Sequence, residues 1–285
     1  MSVEHPFSLN MSEVFLQACD ELLKPYPAHA LPDWEHFNRA TGGFRSREFS
    51  ILCGSTGSGK TTWLANVSAQ LLKAKVKHFV MSVETGHCDF MKRLLSVMSG
   101  LDLNAADRIS PETMERITKN HGQHIFSELI QFSIYDNRVS IAQLLADLEY
   151  MHKHHGCQIA MIDNLNFFLE VTTAANSVIE VDRVIHELIM FCKRIDMHII
   201  MVMHPRKSGG DKSTRVESEY DIKGSSTAVQ EAHNVFLFNR PDPSASMDMS
   251  KRELKIAKMR RRGNYVGRTI VYGNHNTRYS EEKLL

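Results

Sequence analysis

No stretch of this 285-residue sequence reaches the ~18–20 continuous apolar residues that a membrane-spanning helix needs. The opening "MSVEHPFSLN" also lacks the apolar centre of a secretory signal, because acid and proline interrupt it early. No membrane partner is therefore expected, and the protein reads as cytoplasmic, at a nucleoid or a viral replication site. Cysteine is scarce. The five residues Cys19, Cys53, Cys88, Cys157 and Cys192 are scattered, odd in number and form no C-x-x-C pair. That excludes a disulfide framework and a cysteine zinc site, and it suits a reducing compartment. An excess of either charge is missing too: 34 Lys and Arg against 33 Asp and Glu leave a formal charge of +1. A histone-like coat is excluded, so any nucleic-acid contact has to come from local basic clusters. Internal repeats are absent as well, which argues against a solenoid.

What is present is ordinary soluble composition, 42% hydrophobic and 24% charged. "SEVFLQACDELL" (12–23) reads as a short amphipathic helix with Ser12 as N-cap and Val14, Ala18 and Leu22 on one stripe. "KPYPAHALPDW" breaks it with three prolines and reads as a linker. Apolar runs then alternate with helix-length segments: "FSILC" (49–53), "HFVMSV" (78–83), "FSIYD" (132–136), "IAMID" (159–163), "IIMVM" (199–203), "VFLF" (235–238), "LKIAK" (254–258) and "TIVY" (269–272). The inner runs are continuously apolar, as strands covered on both faces are. Strands alternating with helices predict an α/β fold with a mostly parallel twisted sheet flanked by helices. The last three runs leave little room for helices and predict an antiparallel C-terminal extension. "RKSGGDKSTRVESEYDIKGSS" (206–226) predicts a long loop.

"GSTGSGKT" (54–61) matches the phosphate-binding pattern G-x-x-x-x-G-K-[ST] in full, after a strand and at the start of a helix. Gly54, Ser55, Thr56, Gly57, Ser58, Gly59, Lys60, Thr61 and Thr62 are therefore expected to cradle ATP or another nucleoside triphosphate. Lys60 is expected to reach the β- and γ-phosphates and Thr61 to ligate Mg²⁺. Asp163 ends "IAMID", where an acid at the carboxyl end of a central strand suits a second metal-linked position. Glu84 follows another strand end, where a carboxylate can activate water. His204 ends "IIMVM", close enough to sense the γ-phosphate.

Residues 251–262 hold seven Lys or Arg and one Glu. Strict alternation would put Lys258 and Arg260 on one strand face with Ile256. "HKHHGC" (152–157) sits at a helix end, where cationic side chains are favoured without any metal.

Taken in order, the P-loop, "SVET", "IAMIDN", "MVMHPRK" and "GSSTAVQEAHN" resemble the RecA-like motor domain of hexameric replicative helicases, the DnaB-like family that includes Twinkle. The resemblance runs from about Leu31 to Tyr272. It implies a RecA-like P-loop core over 31–285, with 1–30 a linker helix that docks on a neighbouring subunit. Glu84 matches the catalytic glutamate, Asp163 the Walker B aspartate, and His204 the histidine linking γ-phosphate to the DNA loop. Gln230 matches the glutamine that couples nucleotide state to DNA. Lys258 and Arg260 match the lysine and arginine finger supplied to the neighbour's ATP site, with Arg261 the finger if the register shifts by one. Arg240 and Tyr272 match the pair that sandwiches the base. Arg206, Lys207 and Lys212 match the basic loop that meets single-stranded DNA, continued by Lys223 and Gly224. The family implies 5′→3′ travel and a hexameric homo-oligomer, with heptamers or filaments as alternatives, and a separate primase or loader is a candidate partner whose need the sequence leaves open. The expected activity is ATP-dependent DNA unwinding in replication. A RecA-like, DNA-stimulated ATPase that does not unwind is the alternative.

Overall fold

The computed structural model describes residues 10–103, 109–135, 139–164, 174–206, 215–222, 226–242 and 248–285. Six apolar runs form parallel strands: β3 (Phe49–Cys53), β4 (His78–Ser82), β5 (Ile130–Phe132), β6 (Ile159–Asp163), β7 (His198–Met203) and β8 (Asn234–Asn239). Every residue of β3, β4, β6, β7 and β8 is buried, which is why these runs lack alternation. Three antiparallel strands extend the sheet beyond β8: β9 (Arg252–Met259), β10 (Thr269–His275) and β11 (Arg278–Leu284). The nine-stranded order is β11-β10-β9-β8-β3-β7-β6-β4-β5. A small ribbon pairs β1 (Ala28–His29) with β2 (Phe44–Arg45).

Two apolar layers cover the sheet. One packs Val184, Ile185, Leu188 and Leu144, from α7 (Ala174–Arg194) and α6 (Ile141–His155), against Phe49, Ile51 and Met201. The other is aromatic. Trp34 and Phe37 of the segment around α2 (Glu35–Thr41) meet Trp63 of α3 (Lys60–Lys73) and Phe236, Phe238, Tyr272 and Tyr279 of the sheet. The ring centroids of Trp34 lie 5.7 Å from Trp63 and 4.9 Å from Tyr272. Burial of so many large rings supplies most of the driving force on this face.

Four expectations change. The first helix, α1 (Met11–Leu23), is capped by Asn10, not Ser12, because Asn10 and Glu13 satisfy each other's main-chain N–H in a capping box. The fifth strand lies at 130–132 and not at 132–136, since it pairs residue for residue with His78–Val80. The antiparallel extension is β9, β10 and β11, not the last three apolar runs, because 235–238 pairs parallel with β3 and the charged strand β11 forms the edge. Lys258 and Ile256 fall on opposite faces. The register shifts opposite Val235/Phe236, so Ala257 is an extra residue and the alternation restarts after it.

Helix α1 buries no residue, and Phe15, Leu16, Leu22 and Leu23 are exposed along it. No described helix is long and apolar enough to cross a membrane.

Candidate nucleotide site

At the carboxyl end of β3 the chain turns through Gly54–Gly59 into α3. Gly57 and Gly59 adopt φ of 76° and 102°, which favour glycine. A Cβ on Gly59 would lie 2.6 Å from the Tyr279 hydroxyl oxygen, so the loop needs glycine for its path as well as its dihedral. Gly59→Ala should cost about 1–3 kcal/mol of stability, with a matching loss of nucleotide affinity. An unchanged melting temperature would contradict the close approach. Helix α3 starts with no side-chain cap, so the N–H groups of its first turn and the positive end of its dipole are directed at the loop.

Lys60 is buried and its Nζ donates to Gly54 O at 2.7 Å and Ser55 O at 2.9 Å. Burial pulls its pKa down, opposed by the charge of Asp163. The Thr61 hydroxyl donates to Asp163 Oδ2 at 2.6 Å, joining the P-loop to the end of β6. Burial raises the Asp163 pKa, and the Thr61 hydrogen bond opposes it. The main-chain N–H of Val83 donates to Asp163 O at 3.0 Å, which sets the exit of β4 and so the position of Glu84. Glu84, Asn164 and His204 come from the ends of the adjacent strands β4, β6 and β7. Asn164 Nδ2 donates to Glu84 Oε2 and lies 3.1 Å from His204 Nε2. Thr56, Gly57, Lys60, Thr61, Glu84, Asp163 and His204 share one cleft of about 310 Å³.

Sequence reading misses the opposite wall of that cleft: Arg93, Arg252, Asn274, Thr277 and Tyr279. Arg93 Nε, Asn274 Oδ1, Thr277 Oγ1 and the P-loop's own Ser58 Oγ are buried polar atoms without a hydrogen-bond partner among the described residues. Such orphans are costly unless something polar arrives. A phosphate-bearing ligand supplies acceptors, and its sugar supplies both kinds of group. Thr61 and Asp163 present the hard oxygen donors that Mg²⁺ prefers, in a site where phosphates complete the shell. The residues therefore fit a nucleoside triphosphate with Mg²⁺. A larger cavity of about 390 Å³ lies between α3, α4 (His87–Ser99), α5 (Pro111–Ile125) and β11, and none of the P-loop residues lines it.

The remaining site expectations divide. Arg240 reaches the P-loop, its Nη2 donating to Gly57 O at 2.9 Å. Thr62, though largely buried, lines the same cleft. Tyr272 is not available to stack on a base, because it is fully buried between Trp34 and Tyr279, on the face of β10 it shares with Ile270. Gln230 does not join the Glu84–Asn164–His204 group. It is exposed near the end of α8 (Ser226–Glu231), where its carbonyl accepts from Lys258 Nζ and Arg260 Nη2. Lys258 also donates to Val229 O and Arg260 to Ala232 O. Burial, with the Arg260 charge adding to it, pushes Lys258 down to about 8.

These two residues lie at the end of the sheet away from the chain's own P-loop. Lys258 is opposite Val235 at the start of β8, and Arg260 N–H donates to His233 O. Arg261 pairs with Glu48 at 3.1 Å. Arg206 holds the foot of the following loop, its N–H on Asp221 O and its Nε on Ile222 O. Lys207, Lys212, Lys223 and Gly224 lie outside the described residues. In the His-rich helix end, His152 Nδ1 is 2.9 Å from Cys157 O, and no group of three or more metal-ligating side chains occurs among the described residues.

Comparison with known proteins agrees with this architecture. The chain is 18% identical to a solved ATPase domain, with a TM-score of 0.80 over 97% of this chain and 100% of that one. It is equally distant, at 18% identity and a TM-score of 0.78, from a DnaB-like replicative helicase studied with its primase interactions, covering 97% of this chain and 68% of that one. These likenesses bear on the fold. A DNA helicase/primase of Enterobacteria phage T3 is 22% identical over 212 residues, 71% of this chain. The match spans only 37% of that relative's length. The family model for the DnaB-like helicase C terminal domain matches residues 32–281. This chain belongs to the DnaB-like helicase C-terminal domain family.

Proposed function

We propose that the chain is the ATP-hydrolysing motor of a ring-forming helicase that travels 5′→3′ on single-stranded DNA and unwinds duplex during replication. One observation carries this reading. Lys60, Thr61, Asp163, Glu84 and His204 meet in one cleft, whereas Lys258 and Arg260 stand at the far end of the same sheet. An ATP bound at the P-loop then receives its finger from a second copy, so hydrolysis takes place between subunits, as in a hexamer.

Within one site Lys60 and the loop's N–H groups bind the phosphates, with Arg240 lying beside the loop. Thr61 and Asp163 hold Mg²⁺, which when bound neutralises phosphate charge. Glu84 takes the proton of the attacking water. Lys258 and Arg260 of the neighbour stabilise the charge that develops on the transferring phosphate. His204 leads directly into Arg206 and Lys207, so the site is wired to the basic loop, with Lys212, Lys223 and Gly224 continuing it. Gln230 takes part by holding the finger pair through its carbonyl. The exposed apolar stripe of α1, within residues 1–30, docks on an adjacent subunit of the ring, and a primase or loader engages the assembly.

A strand-displacement assay on forked duplexes with 5′ or 3′ tails tests the proposal. The 5′-tailed fork should be unwound in an ATP-dependent way, and an oligomeric, ATPase-active sample that opens neither fork would sink the helicase reading. Arg206→Ala with Lys207→Ala should abolish stimulation of ATPase by single-stranded DNA. Loss of phosphate contacts should also flatten the salt dependence of strand binding. Retained stimulation in the double variant would refute the loop assignment.

A further inference from the structure

Asn164 follows Asp163 but belongs neither to the phosphate cradle nor to the Thr61–Asp163 pair. Its side chain is almost wholly buried, 4% exposed, yet its amide nitrogen meets two groups of the cleft. Nδ2 donates to Glu84 Oε2 and lies 3.1 Å from His204 Nε2. Glu84 and His204 themselves stand 3.5 Å apart. The three residues sit at the carboxyl ends of β4, β6 and β7, neighbours in the sheet.

An N–H on Oε2 occupies a lone pair with which Glu84 would accept the proton of water, and it fixes where the carboxylate points. His204 shares the same amide nitrogen. Immediately after it, Pro205 bridges to Ile222, and Arg206 is bonded to Asp221 and Ile222. These contacts place the loop foot, His204 and the Asn164 amide in one connected chain.

We propose that Asn164 is a positioning residue that latches Glu84 in a resting pose and releases it when a nucleic-acid strand engages the loop behind His204. The inference rests on Glu84 being the base of the proposed reaction. It explains how a site can hold ATP without turning it over until DNA is present. Nothing chemical is transferred by Asn164 itself; it donates or withdraws one hydrogen bond.

Asn164→Ala removes the donor, and Asn164→Leu keeps a similar volume while losing it. ATPase of the full chain is measured with and without saturating oligo-dT, alongside the melting temperature. The DNA-free kcat should rise roughly tenfold, the usual weight of a hydrogen bond to a charged group. The KM for ATP should not move, and the strand-saturated kcat should stay near wild type, so the ratio between the two rates collapses. A merely structural role would lower both rates together. Equal falls in both rates, or an unchanged DNA-free rate in a folded variant, would overturn the latch. If the wild-type protein shows no stimulation by DNA, release by a strand is overturned, and the DNA-free rate of the two variants then shows only whether Asn164 restrains Glu84.

Discussion

Mixing an Arg260→Ala variant with a Lys60→Ala variant should restore ATP hydrolysis that neither shows alone. Each single change is expected to lower turnover by about 10³-fold or more, Lys60→Ala by disabling its own cradle and Arg260→Ala by withdrawing a transition-state cation. In a mixed ring some interfaces pair the intact cradle of the first variant with the intact finger of the second. With random assembly these are roughly a quarter of all interfaces, because each is heterologous and needs one particular donor on each side. The expectation follows from β9 running antiparallel to β8, which carries Arg260 to the foot of the sheet while Gly54–Thr62 sit at its head. Arg260 also donates to the carbonyls of Gln230, Glu231 and Ala232, so its removal loosens the end of α8. Arg260→Lys separates the two effects, because a lysine keeps a donor for those carbonyls but lacks the planar fork. Mixed oligomers as inactive as their parents would mean that the P-loop takes no residue from a neighbour.

Much of this site is legible in the sequence, because each part is local. "FSILC" followed by Gly54–Thr61 specifies strand, loop and helix within a short span, and β3 forms over just those five positions. Glu84, Asp163 and His204 stand out as polar residues closing apolar runs, and parallel strands necessarily bring such ends to one edge. What escapes depends on pairing across long separations. Asn164 has no local pattern, and its partners are 80 and 40 residues away. Asn274, Thr277 and Tyr279 reach the cleft only because β11 folds back on β10 beside α3, with Asn66 Nδ2 donating to Thr277 O at 2.8 Å. "RYSEEKL" is a charged edge strand with too few apolar residues to announce itself. The misplacement of Tyr272 has a related cause. The resemblance aligns a tyrosine, whereas the inward face of β10, with Trp34 packed on it, decides its burial. A single extra residue at Ala257 likewise reverses the face on which Lys258 emerges, and nothing in "KIAKM" signals a bulge.

Lowering the pH from 7.5 to 5 should destabilise the protein by about 4 kcal/mol through two histidines alone, about 2 kcal/mol from each. His78 begins β4 and His198 begins β7, and both are fully buried. In each, Nδ1 faces a main-chain carbonyl, Val76 O at 2.9 Å and Arg45 O at 2.7 Å, while Nε2 faces a serine hydroxyl, Ser68 or Ser50. These partners suit a neutral ring that donates from Nδ1 and accepts at Nε2. Burial pushes His78 down to about 4 and His198 to about 3, the carbonyl bonds opposing it and, for His198, nearby His233 and His29 adding to it. The folded values lie below the ordinary 6.5, so the native state binds fewer protons than the unfolded chain. Stability is therefore complete above about pH 6.5 and is lost as the pH falls toward the folded values. Buried Asp163, whose pKa is raised, acts in the opposite direction, so the comparison must be made between proteins rather than along one curve. Denaturant midpoints at both pH values should show the wild type losing more than a His78→Gln, His198→Gln variant. Its amides can donate and accept but do not titrate, so it should be weaker at pH 7.5 and flatter below it. Equal pH slopes in the two proteins would mean that these rings are hydrated or already charged in the fold, which their full burial argues against.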